Sequence, residues 1–208
     1  MKKLILSATA VLFSIGAFAQ TQELGYGIKA GVNLPNYHFS EGDNDTESTT
    51  NFHITGYLDA PVSGNFWIQP GISLQGKGAK VDGSFGTLTQ NTMWIEIPVN
   101  AVVKFPTGYA GNFFIGAGPY AAFGISGQNK WDTAIGDGEE DFDFGSDGTP
   151  YLTQKGTDFG VNFMAGYQLS SGLTLGAGYG LGLADIGADG VNGKQNNRVL
   201  SFSVGFAL

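Results

Sequence analysis

Cysteine is absent from the chain, which removes disulfides, thiolate chemistry and cysteine-based metal sites. Charge is scarce: Asp, Glu, Lys and Arg make up 13% of the 208 residues, against about a quarter in an ordinary soluble domain. Basic charge is scarcest, with ten Lys and Arg against 18 acids and a net charge of −8. The chain therefore lacks the cationic face that a nucleic-acid binder uses to replace phosphate counterions. His38 and His53 are the only histidines. No nucleophile motif accompanies them, so no catalytic residues are assigned and no enzyme is expected. Past the first twenty residues no run of 18 apolar residues occurs, which excludes a membrane-spanning helix. What is plentiful is glycine, 34 residues, and aromatic side chains, 13%.

Residues 1–19 read as an export signal. Lys2 and Lys3 precede an apolar run from Leu4 to Phe18, and Ala17-Phe18-Ala19 is a small-x-small cleavage site. Cleavage there starts the mature domain, residues 20–208, at Gln20. No cysteine follows for lipid attachment.

The remainder alternates with period two. Leu200, Phe202, Val204, Phe206 and Leu208 fall on one face, and Ser201, Ser203, Gly205 and Ala207 on the other, as successive side chains of a strand do. The same reading holds over 24–33, 51–61, 66–77, 93–105, 112–126, 159–169 and 173–183, giving eight strands. Pro70, Pro98 and Pro119 each remove a ladder donor, so a bulge or local break is expected at some of them. Most runs suit the roughly 9–11 residues of a tilted bilayer-crossing strand. Short turns at 63–65, 106–111 and 170–172 alternate with longer polar tracts at 34–50, 78–91, 127–156 and 185–196. This is the pattern of an all-β, eight-stranded, antiparallel up-and-down transmembrane β-barrel.

Polarity chooses the solvent. The strand charges, chiefly Lys29, Asp59, Lys77, Glu96, Lys104 and Asp158, all fall on the small or polar face. A Lys or Arg facing lipid at midplane costs about 2–4 kcal/mol, so rows of Leu, Ile, Val and Phe free of charge suit a lipid-facing wall. A soluble carrier barrel would need its outer face solvated. Aromatic residues cluster toward both strand ends, as two interfacial girdles would. The interior is expected to hold a polar cluster of Lys29, Asp59, Glu96 and Lys104, the two lysines having the two carboxylates as partners. Tyr57, Tyr120, Met164 and Gln69 fill the space beside a thin glycine wall that includes Gly176, Gly178, Gly180 and Gly182. A plugged interior is favoured over a gated ion path.

Two motifs invite chemistry. Asp137, Glu139, Asp141 and Asp143, with Asp147 nearby, form an acidic tract whose spacing does not match a calcium-binding loop. They stand only as a weak loop-borne cation candidate. A second tract, Glu41, Asp43, Asp45 and Glu47, lies in the first long loop; both tracts are expected on the outer side, where cations could bridge them to lipopolysaccharide. The stretch GAGYGLG lies within a strand and opens no helix, so it lacks the phosphate-binding mechanism of a dinucleotide fingerprint. No cofactor is expected.

The phrases ELGYGIKAGVN at 23–33, NFFIGAGPYAAFG at 112–124 and GVNFMAGYQLSSGLTLGAGYGLGL at 160–183 resemble the PorT-like outer-membrane β-barrel proteins of Bacteroidetes-type Gram-negative bacteria. The resemblance implies an outer-membrane location and insertion by the assembly machinery, which reads an amphipathic last strand. It implies contact with outer-membrane lipid and lipopolysaccharide. Some relatives serve protein secretion, so an accessory role in a secretion complex is one alternative; a lipid-modifying enzyme is another. The expected molecule is a monomer with a structural or interaction role and no nucleic-acid partner.

Overall fold

The computed structural model describes residues 24–41, 46–83, 86–134, 136–145, 152–189 and 193–208. The signal segment 1–19, Asp43, Asp45 and Asp147 lie outside the described residues. Nine strands form where the sequence predicts eight: β1 (Gly25–Phe39), β2 (Asn51–Ser63), β3 (Phe66–Gly83), β4 (Gly86–Pro106), β5 (Gly111–Thr133), β6 (Gly136–Phe142), β7 (Thr157–Leu169), β8 (Leu173–Gly182) and β9 (Gln195–Ala207). All pairings are antiparallel. They run β1-β2-β3-β4-β5-β7-β8-β9 and return to β1, while β6 hangs on the far end of β5 alone.

The extra strand is a correction with a clear cause. Tracts 78–91 and 127–142, expected as loops because they are polar, continue as ladder. Outside a bilayer a strand needs no apolar face, so Thr, Gln, Asn and Asp can carry a sheet that hydropathy alone reads as loop. β3, β4, β5 and β6 thus extend together as a sheet beyond the apolar band. β1 likewise continues to Phe39, through the first third or so of the tract 34–50 expected as loop.

The expected local breaks occur without slippage. β3 and β4 pair at Pro70 with Val99 and resume at Ser73 with Glu96. β4 and β5 pair at Pro98 with Tyr120 and resume at Ala101 with Ala117. The true register shifts lie elsewhere, at Pro61/Ser63 in β2 and opposite Met93/Trp94, where Ile125 is an extra residue in β5. Because side chains alternate, that bulge changes which parity of β5 faces inward. Tyr120 and Ala122 are buried below it, and Asn129 above it. The 63–65 turn is a tight hairpin in which Gly64 takes φ 51°, a region open to glycine at no steric cost.

The expected polarity is realised. Ile28, Ile54, Ile72, Ile97, Phe123, Phe159, Phe202 and Val204 are exposed, Ile72 by 61%. Their strand neighbours Thr55, Ser73, Glu96, Asp158 and Asn197 are buried. In water such a surface would far exceed the apolar patch that a monomer tolerates; in lipid it is the required exterior, and the closed ladder leaves no backbone edge within it.

Candidate functional site

The candidate site is the lumen, built by the inward parity of each strand. At its outer half β3 contributes Lys77, β4 Trp94 and Glu96, β5 Tyr120, β7 Asp158 and β9 Asn197. Lys77 Nζ lies 3.0 Å from Asp158 Oδ2 and 3.3 Å from Glu96 Oε2. Its ammonium also stands over the rings of Tyr120, at 4.6 Å, and Trp94, at 5.4 Å. Tyr120 OH and Asn197 Nδ2 donate to Asp158 Oδ2 at 3.1 and 2.8 Å, and Asn162 Nδ2 donates to Glu96 Oε1 at 3.0 Å. A buried charge is tolerated when paired and hydrogen-bonded, and Lys77, only 2% exposed, is held in that way. Trp94 Nε1 donates to Thr92.

Toward the short turns, Lys104 pairs with Asp59, which also accepts from Gln69 Nε2 at 3.0 Å. Lys104 Nζ stands 4.8 Å from the Trp67 ring centroid. Between the two ion sets lies a cavity of about 100 Å³ lined by Lys29, Tyr57, Gln75, Asn100, Met164 and Ser203, among others. It has room for a few waters at roughly 30 Å³ each. Gly176, Gly178 and Gly180 form part of its wall, and Tyr57 leans over Gly27 from the other side.

The sequence-predicted cluster therefore separates. Lys104 and Asp59 meet; Glu96 pairs with Lys77 instead of Lys29 or Lys104, because strand tilt brings β3, β4 and β7 together at one level. Lys29 lines the cavity and has no carboxylate within ion-pair distance among the described residues. Asp158 and Lys77, noted in the sequence only as inward charges, are the centre of the network. Their equal inward parity was the available signal, but their contact spans 81 residues.

The outer mouth is packed shut. Tyr37, Ala79, Trp94, Tyr120, Ala122, Ala184 and Ile186 form one buried cluster, with Phe39 and Phe144 against it. Phe144 meets Trp94 edge-on with centroids 4.9 Å apart. Gln154, fully buried, bridges to Gly187 and donates to Gln90, which donates to Asn129 at 2.8 Å. Two tracts expected as polar loops, 127–156 and 185–196, thus send residues 152–156 and 185–189 into the mouth; Ile186, a large apolar residue next to Asp185, was the sign.

The remaining candidates are dispersed. His53 Nδ1 shares a hydrogen bond with Asn33 Oδ1 at 2.7 Å inside the wall, and His38 lies on the outward parity of β1. Asp137, Glu139 and Asp141 belong to β6, and Asp143 follows it. Glu139 is paired with Lys130 at 3.4 Å and Asp141 accepts from Gln128. No group of three or more acidic or histidine ligands converges among the described residues. Asp137 faces Asp132 across the ladder, and a hydrogen bond shared with that carboxyl raises its pKa above the ordinary value. Asp82 is held below its ordinary value, first by the Thr87 hydroxyl at 2.6 Å and then by Lys80. Glu47 pairs with Lys80 at 3.4 Å.

Among solved structures, the attachment invasion locus protein Ail of Yersinia pestis is similar at 9% identity, covering 90% of this chain and 100% of that one, with a TM-score of 0.46. Neisserial surface protein A is similar at 13% identity, covering 87% and 96%, with a TM-score of 0.47. The N-terminal β-barrel domain of Pseudomonas aeruginosa OprF follows at 10% identity, 86% and 97% coverage and a TM-score of 0.35. No curated protein matches in sequence. A family model for the outer membrane protein beta-barrel domain matches residues 18–187. With that match over most of the length, on a closed antiparallel sheet with an apolar exterior, the chain belongs to the outer membrane protein beta-barrel domain family.

Proposed function

We propose that the protein is a small, monomeric, non-enzymatic outer-membrane barrel of a Gram-negative bacterium, with an interior sealed to ion flow and a structural or interaction role. The eight strands of the closed circuit are its transmembrane wall; β6 and the ends of β3, β4 and β5 are an external sheet available to partners. The observation that carries this reading is the pairing of inward charges beneath a packed mouth. Lys77 pairs with Glu96 and Asp158 and Lys104 with Asp59, Lys29 lines the cavity, and the exterior band bears Leu, Ile, Val and Phe. The PorT-like affiliation is supported by the quoted phrases, which fall in β1, in β5 and across β7 and β8. The assembly machinery is the expected insertion partner, reading the alternation of β9, and outer-membrane lipid and lipopolysaccharide its surroundings.

The test is reconstitution. The full chain should need detergent or lipid to stay in solution, migrate differently on gels with and without heating, and give no steady large conductance in a planar bilayer. Steady conductance would replace the sealed reading with a pore, and solubility in plain buffer would remove the membrane reading altogether.

A further inference from the structure

Arg198 is the only arginine in the chain, and it stands on the outward face. Its neighbours in β9, Asn197 and Val199, are buried inward, whereas Arg198 shares parity with Leu200, Phe202, Val204, Phe206 and Leu208. In register it lies beside Asn36 of β1 and Leu181 of β8. Ten residues separate it from Leu208. At a rise of about 3.3 Å per residue and a tilt of about 40°, that is roughly 25 Å along the bilayer normal, the height of the apolar band of such barrels. Arg198 is therefore at the upper border of the hydrocarbon, where the rows of β1 and β9 turn from Leu34 and Leu200 to Asn36 and Arg198.

Its hydrogen-bonding capacity is largely unspent. Three other cations of the outer end have acids: Lys80 has Glu47 and Asp82, Lys130 has Glu139, and Lys155 has Asp185. Arg198 has no carboxylate within ion-pair distance among the described residues. Nη1 donates to Tyr179 OH at 3.4 Å, while Nε is buried and meets no acceptor. A guanidinium carries five donors in a planar fork that matches phosphate oxygens two at a time. Nε faces protein, so it is the terminal nitrogens of this partly exposed side chain that stand open to an anionic acceptor supplied from outside the chain.

We propose that Arg198, flanked by Tyr179 and Asn36, holds the phosphate group of a lipid in the outer leaflet. The proposal rests on the membrane-spanning reading above and adds a site to it. A lipid phosphate reaches this level with its acyl chains lying along the Leu and Phe rows below, which a free phosphate ion or an acidic peptide has no means to use.

The test uses the full chain folded in a non-ionic detergent. Native mass spectrometry would measure binding of phosphatidic acid, of diacylglycerol with the same acyl chains, and of inorganic phosphate as a competitor. Phosphatidic acid should bind at least tenfold more tightly than diacylglycerol. R198Q should lose about tenfold, and R198K, which keeps charge but not the fork, severalfold; Y179F, which leaves the charge untouched, should weaken binding about twofold. Millimolar inorganic phosphate should not displace the lipid. Equal binding by R198Q, equal binding of diacylglycerol, or displacement by inorganic phosphate would each overturn the site. Heat-modifiable migration of every variant keeps the outcomes separate: a folded, inserted R198Q with undiminished lipid binding sinks only this site, whereas failure of the unaltered chain to enter bilayers sinks the barrel reading.

Discussion

The two ends of the lumen handle charge differently. At the outer half Lys77 is enclosed by two carboxylates, two aromatic rings and a roof of packed side chains, and its acids are further held by Asn197, Tyr120 and Asn162. At the inner half Lys104 and Asp59 form a simpler pair with one amide and one ring beside them, and their side chains stay 9–10% exposed where those of Lys77, Glu96 and Asp158 are at most 4%. The contrast teaches that closure rests on the outer half: where water is excluded, every partner must be protein, so the network is larger and its loss more costly.

Four changes would break or sharpen that contrast, each measured by reversible unfolding from lipid vesicles or by exchange. Lys77→Met should cost about 3–5 kcal/mol, because it leaves Glu96 and Asp158 buried without a cation. Adding Glu96→Gln and Asp158→Asn should restore most of the loss, since removing a whole ionic set is often close to neutral; no recovery would mean that packing, not charge, sets the value. Ile186→Ala should cost about 2–4 kcal/mol by opening a void under the roof, and should raise bilayer conductance if the roof is the seal. Lys104→Met should cost less, about 1–2 kcal/mol, because the stranded Asp59 keeps a side-chain exposure of 10% and the Gln69 amide as a donor; a loss equal to that at Lys77 would erase the difference between the ends.

The smallest effect lies outside the bilayer and concerns pH. Asp137 titrates above its unfolded value, so its contribution favours the sheet at low pH and is lost as pH rises through the raised folded pKa. Asp82 titrates below its unfolded value, so its contribution is present above that value and is lost as pH falls through the depressed folded pKa. Asp132→Asn should remove the first dependence and leave the second. Hydrogen exchange of β3, β4, β5 and β6 amides, followed from neutral pH down through and below the ordinary carboxylate range, would read both.

The wall was legible in the sequence because lipid enforces a strict rule: Ile28, Ile54, Phe159 and Phe202 must alternate with small or polar neighbours, and each does. The ladder beyond the lipid was not, because Thr87, Thr89, Gln128 and Lys130 obey no such rule, and the acids of β6 read as a solvated loop. Within the lumen, parity placed all six charges correctly but not their partners. Which inward residues meet depends on strand tilt and stagger, quantities that no single strand encodes, and so Glu96 was matched with the wrong lysines. Ile186 and Ala184 were missed as a roof since tertiary docking, not local pattern, buries them.

The extra residue at Ile125 has a further meaning. It acts as a half-step between two phases of one long strand, one set by lipid and one by the sheet above. Pairing every residue of β5 without the bulge would carry Asn129 and Trp131 to the outside and Lys130 into the mouth. Deleting Ser126 would instead set Ile125 opposite Met93, merge the two phases into one regular ladder and leave both facings unchanged. The inserted position thus marks where the facing set by the bilayer hands over to that of the sheet above it.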